Sequence, residues 1–149
     1  MLQEQEIRTF VDGTTRYFEV TTQQAASIGS PYIVTDGDPV LHDYTGIIDI
    51  SGKREGVVYF TAPRAMLTVL LMKMHETDYD HDTLRDLVGE VANTISGNAR
   101  RDFGREFVIS VPSVVSAREG AVTAAAGLRS FVIPINWRSH SAKLVIALR

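Results

Sequence analysis

Residues 80–104 read DHDTLRDLVGEVANTISGNARRDFG, and the spacing of their apolar positions sets the architecture around them. At about 100° per residue with Leu84 at zero, Leu87, Val88, Val91 and Ile95 fall within about 60° of it, the buried stripe of one long helix. On the same wheel Asp86, Glu90, Asn93, Gly97, Arg100 and Gly104 gather on the opposite side, between roughly 160° and 240°. The pattern predicts a helix over residues 83–102, capped by Asp80 or Asp82 and stopped by Gly104. Acids in its first turn also suit the positive end of the helix dipole.

Upstream, residues 44–51 and 56–61 are β-branched and aromatic, and Gly52-Lys53-Arg54-Glu55 between them supplies the polar turn of a hairpin. Pro63 suits a first helical turn, and residues 65–74 are apolar on nearly every side, which predicts a buried second helix. Its Met66, Met72 and Met74 read as core filler. Nearer the N-terminus, Ile7, Phe10, Val11, Tyr17 and Phe18 recur at helical spacings and predict an amphipathic helix over residues 5–18. Short strands are expected at 20–26 and 31–35, with a turn at Asp36-Gly37-Asp38-Pro39.

Downstream, residues 106–115, 130–137 and 142–148 read as strands, and 116–128, rich in Ala, Gly and Ser, as a connection. Pro134 cannot donate to a ladder, which places its strand at an edge or a bulge. Helices and strands come in blocks, so the fold class is α+β, an antiparallel sheet packed against long helices. The order helix-then-strands occurs twice, from Gln5 and from Thr83. FVDGTTRYF (residues 10–18) lies over LVGEVANTI (residues 87–95) without a gap, so the chain reads as two weakly repeated halves.

The chain has 149 residues, 44% hydrophobic and 22% charged, a balance that fits one ordinary globular domain and excludes disorder. Fifteen basic against eighteen acidic side chains give a net charge of −3, too little positive charge for a nucleic-acid partner. The absence of cysteine removes disulfides, thiolate nucleophiles and thiolate metal sites. The N-terminal residues carry charge where a signal peptide needs an apolar core, and residues 65–74 are too few to span a bilayer. A cytoplasmic location, without membrane or nucleic-acid partners, is expected.

Glu90 and Asn93 are surface neighbours on the helix, although any amphipathic helix shows acids and amides to water. Gly89, Asn93 and Gly97 tip the balance, because each opposes helix formation, glycine by about 1 kcal/mol relative to alanine. Local rules broken on one exposed face mark a site, and small residues beside Asn93 let another backbone come close. Gly89, at about 140° on the wheel, has an alternative explanation in tight packing on the protein's own sheet.

The stretch Asp86-Leu-Val-Gly-Glu90-Val-Ala-Asn93-Thr-Ile-Ser-Gly97-Asn98 resembles the active helix of the CheX family of chemotaxis phosphatases, within the wider CheC, CheX and FliY group. DYTGIIDISG and GVVYFTAPRAML resemble the strands and buried helix that precede it, and SFVIPINW a later strand, so the resemblance spans most of the chain. It implies a single CheX-like domain over residues 1–149 that hydrolyses the aspartyl phosphate of a CheY-like response regulator. Asn93 would orient the attacking water and Glu90 would pair with a regulator lysine, with Asp86, Gly97 and Arg100 as partner-binding residues. The chain would hold no cofactor, the Mg²⁺ coming with the regulator, and a homodimer is expected. Pro112 falls too close to Asn93 for the proline that CheC-type patterns place further on, and has no site role. In the gapless overlay Gly13 and Arg16 oppose Glu90 and Asn93, so the first half lacks the pair and one active centre per chain follows.

No other chemistry competes. His75 and His81, in HETDYDHD, are six residues apart and do not share a helical face, so the segment reads as an acidic linker and no metal site is predicted. Gly-x-Ser-x-Gly elbows and phosphate-binding P-loops are absent. The rival readings are a module of the same fold that binds a regulator or motor-switch component without hydrolysis, and a dimerising scaffold. The scaffold would pair through a free edge at residues 143–148, with Lys143 and Arg149 as edge charges.

Overall fold

The computed structural model describes residues 2–34, 41–117 and 129–149. The turn expected at 36–39, and all but the first two residues of the connection expected at 116–128, lie outside them.

Helix α1 (Glu4–Thr22) buries Phe10, Tyr17 and Phe18 and runs through the segment expected to start a strand. Val20 and Thr21 favour strands, but Thr22 is buried and its hydroxyl donates to the Phe18 carbonyl at 2.6 Å. The helix then closes on Gln23, whose N–H donates to the Glu19 carbonyl and whose φ of 58° turns the chain out of the helix. Strand pairing is therefore delayed to β1 (Ser27–Ile28) and β2 (Tyr32–Val34). Next come the hairpin β3 (Tyr44–Gly52) and β4 (Gly56–Ala62), then helix α2 (Arg64–Lys73). Met66, Leu67, Leu70 and Leu71 of α2 are buried as expected, whereas Met72 is 52% exposed and fills no core.

Helix α3 (His81–Phe103) is followed by β5 (Phe107–Ile109), β6 (Ser113–Ser116), β7 (Ser130–Trp137) and β8 (His140–Leu148). The single strand expected at 106–115 is two. At the break, Ser110 exchanges hydrogen bonds with the Asp49 backbone, its N–H donating to Asp49 O and its hydroxyl accepting from Asp49 N, each at 2.9 Å. Val111 and Pro112 then leave the ladder.

Among the described residues the sheet is antiparallel, ordered β1-β7-β8-β4-β3-β5, with β2 beside β1 on β7 and β6 beside β5 on β3. The two halves thus exchange their short strands: β1 and β2 border the hairpin of the second half, β5 and β6 that of the first. This is the repeat that the sequence suggested. Buried positions match best one residue away from the gapless overlay, with Phe10 against Val88, Gly13 against Val91 and Tyr17 against Ile95.

Two edge expectations are corrected. β8 lies between β7 and β4 in the middle of the sheet, so residues 143–148 offer no free edge. Pro134 is in β7, inside the sheet, and sits where the outer neighbour breaks between β1 and β2; its carbonyl accepts from Gly29 N–H at 2.9 Å. Because N–H and C=O of a strand residue point to the same side, the donor that proline lacks falls in that gap.

The three helices cover one face of the sheet. Phe10, Phe18, Phe60, Met66, Leu70, Leu84, Ile95 and Trp137 are fully buried between them. Each such side chain contributes about 1.5–3 kcal/mol of burial energy. The Trp137 indole donates to the Gln24 carbonyl at 3.0 Å, which leaves no polar penalty there.

Candidate functional site

Of the two expected caps, Asp80 starts α3. Its carboxylate accepts from the Thr83 backbone N–H at 2.9 Å and the Thr83 hydroxyl at 2.8 Å. These bonds, the backbone one first, hold the Asp80 carboxyl below its ordinary pKa. At the other end Gly104, with φ at +92°, donates to the Arg100 carbonyl at 2.9 Å and ends the helix.

Glycines seat the middle of α3 on the sheet. Gly46 of β3 lies under Val88 and Gly89, where an added Cβ would overlap the Val88 carbonyl and stand 3.0 Å from the Gly89 Cα. A Cβ on Gly89 would in turn sit 3.0 Å from Val114 Cγ2 and 3.5 Å from Pro112 Cβ. Gly89 is therefore buried against β6 and the segment before it, and does not belong to the open face. On the same flank Arg85 donates to the Val114 carbonyl at 3.2 Å. The opposite flank rests antiparallel on α1, with Gly13 facing Ile95 and Asn98 and the Phe10 and Phe103 rings 5.7 Å apart.

What remains is the outer face, where Asp86, Glu90 and Asn93 are exposed and Gly97 is half-exposed. Glu90 and Asn93 stand about 4.5 Å apart along the axis, just under one turn. Among the described residues, nothing outside its own stretch of helix lies within 4 Å of the Cβ position of Gly97. Arg100 is also exposed, but its Nε donates to the Phe107 carbonyl at 3.0 Å, so it clasps the end of α3 to β5 as well as facing outward. Asp86, Glu90, Asn93, Gly97 and Arg100 thus share one surface.

Two residues of this neighbourhood escaped the sequence reading. Tyr17 of α1 has its hydroxyl pKa pushed up, first by burial and then by the Glu90 charge, against a smaller opposite effect of its hydrogen bond with Thr21. Glu90 therefore lies on the α1 side of the face, a proximity created by helix packing that leaves no local signal. Gly46 did leave one, a glycine inside a β-branched run, which marks close backbone approach.

Chemically, the face offers a neutral carboxamide, with acceptor and donors on one group, beside a carboxylate one turn away. His81, from the acidic segment, is engaged elsewhere: its Nδ1 is 2.9 Å from the Tyr44 hydroxyl. Among the described residues no group of three or more His, Asp or Glu side chains is placed to hold a metal ion, and no helix is long and apolar enough to cross a membrane.

Comparison with known proteins places the chain in a family. The model of the chemotaxis phosphatase CheX family matches residues 44–136, well over half the chain and all of α3. The chain belongs to the CheX family. No curated protein sequence matches this CheX-family member. Solved structures share its CheX/CheC-like fold from end to end. A CheC-like superfamily protein from Shewanella sp. PV-4 superposes with a TM-score of 0.86 at 22% identity, covering 99% of both chains. The chemotaxis protein CheX from Desulfovibrio desulfuricans gives 0.84 at 22% identity, over 97% of this chain and 99% of the other. CheX in the CheX–CheY–BeF₃–Mg²⁺ complex of Borrelia burgdorferi gives 0.75 at 18% identity, over 97% of both.

Proposed function

We propose that this CheX-family chain hydrolyses the aspartyl phosphate of a CheY-like response regulator at the outer face of α3. The observation that carries the reading is the open surface on which Glu90 and Asn93 stand exposed one turn apart, beside a Gly97 with no neighbour to accommodate. A helical glycine that nothing among the described residues requires costs about 1 kcal/mol, which is compensated if a partner backbone approaches there. A relative of the same fold occurs in complex with CheY, BeF₃ and Mg²⁺, which supports a partner of that kind.

The chemistry demanded of this chain is small. An acyl phosphate is already activated, and the regulator brings the Mg²⁺ that neutralises charge on the transferring oxygens. What remains is to place one water in line with the phosphorus. The Asn93 carboxamide oxygen accepts from that water while its NH₂ donates elsewhere, and being neutral it is not repelled by the phosphoryl group as a carboxylate would be. Orientation of this kind contributes several kcal/mol when the water is held near attack geometry. Glu90 pairs with a lysine on the regulator and sets the docking register, with Asp86, Gly97 and Arg100 completing the contact. The protein would work in the cytoplasm, where such regulators are found.

The test is to mix the purified chain with a phosphorylated CheY-like receiver domain and Mg²⁺ and follow phosphate release. Acceleration over the regulator's own decay is expected. Equal decay with and without the chain would overturn hydrolysis and leave the non-catalytic binding module as the reading.

A further inference from the structure

The outer face of α3 changes sign along its length. Its first half continues the acidic segment: Glu76, Asp78, Asp80, Asp82, Asp86 and Glu90 are all exposed. Past Asn93 the surface opens into a concavity lined by Gly97, Arg100, Arg101, Gly104, Arg105 and Ile109, three guanidinium groups and no carboxylate. The helix dipole alone explains cations in a last turn, but Arg105 lies beyond the helix end, on the turn into β5. Gly97 and Gly104 both have open space around their Cβ positions, so the floor between the arginines is clear. Arg101 is steadied by a 2.8 Å bond to the Asn98 carboxamide.

Glu90 and Arg101 are about 16 Å apart along the helix, roughly two Debye lengths at physiological salt. The acidic and basic ends therefore act on separate patches of whatever docks. We infer that Arg101 and Arg105, with the concavity between them, form a second pole of the docking surface that receives a carboxylate-bearing rim of the response regulator, so that the regulator seats in one direction along α3. This rests on the reading of the outer face as the regulator site. A regulator turned end for end would bring like charges together at both poles, and the poles thereby select the orientation that delivers the phosphoryl group to Asn93.

The experiment uses a receiver domain that the wild-type chain dephosphorylates, phosphorylated with acetyl phosphate in Mg²⁺, and compares the wild type with Arg101→Glu/Arg105→Glu. The control, Arg8→Glu/Lys73→Glu, makes the same change of net charge at exposed positions of α1 and α2. At low salt kcat/KM should fall about tenfold through KM, with kcat within about twofold of wild type, because exposed rim charges act on encounter. At about 0.5 M NaCl, where the Debye length is about 4 Å, the difference should close, and the control should match wild type throughout. An unchanged kcat/KM at low salt, a loss that salt does not narrow, or an equal loss in the control would each overturn the second pole while leaving the phosphatase reading intact. A wild-type chain that fails to accelerate any regulator's decay would overturn both.

Discussion

Gly89 and Gly97 stand two turns apart on α3, yet a methyl group added at Gly89 would press on Val114 at 3.0 Å, while at Gly97 it would meet nothing within 4 Å. Gly89 is explained by the fold, since β6 and Pro112 occupy the space a side chain would need. Gly97 is explained by nothing inside the described molecule. The same residue type therefore reports a packed flank in one place and open helix surface in the other, and only the three-dimensional neighbours tell them apart.

The sharpest way to break that contrast is at the packed side. Gly46→Ala drives a Cβ into the Val88 carbonyl, where backbone lies on both sides and no flexible side chain can yield. It should cost about 3 kcal/mol in urea unfolding, and a loss under about 1 kcal/mol would mean that α3 is not seated there. On the open side, Glu90→Ala leaves the fold intact and should lower regulator affinity about tenfold, by about 1.4 kcal/mol, with a smaller fall in turnover; unchanged kinetics would remove Glu90 from the docking contact. The smallest effect sharpens the comparison most. Gly97→Ala should raise stability by about 1 kcal/mol through helix propensity alone while slowing the proposed hydrolysis, whereas Gly89→Ala gains the same propensity and loses it again to crowding. Equal stability changes for the two alanines would erase the distinction.

Much of this was legible in the chain because the decisive signals are local. The apolar stripe from Leu84 to Ile95 and the Asp80 cap mark α3 to within a few residues, and the β-branched runs around Gly52-Lys53-Arg54-Glu55 mark the central hairpin. The helical wheel also selected the exposed set of Asp86, Glu90 and Asn93 correctly. What escaped was non-local. Val20 and Thr21 join α1 because burial of Phe18 and Thr22 outweighs their strand preference. The central place of β8 follows from pairings far along the chain. The clasp from Arg100 to the Phe107 carbonyl runs through the turn that follows α3, and the closeness of Tyr17 to Glu90 arises only when two helices pack.

Asn93 carries the central claim, and phosphate release at saturating chain concentration tests it directly when regulator binding is measured on the same samples. With Asn93→Ala, hydrolysis should slow by at least about 100-fold while the affinity for the regulator stays within a few-fold of wild type. Hydrolysis by the alanine variant at the wild-type rate would contradict the account.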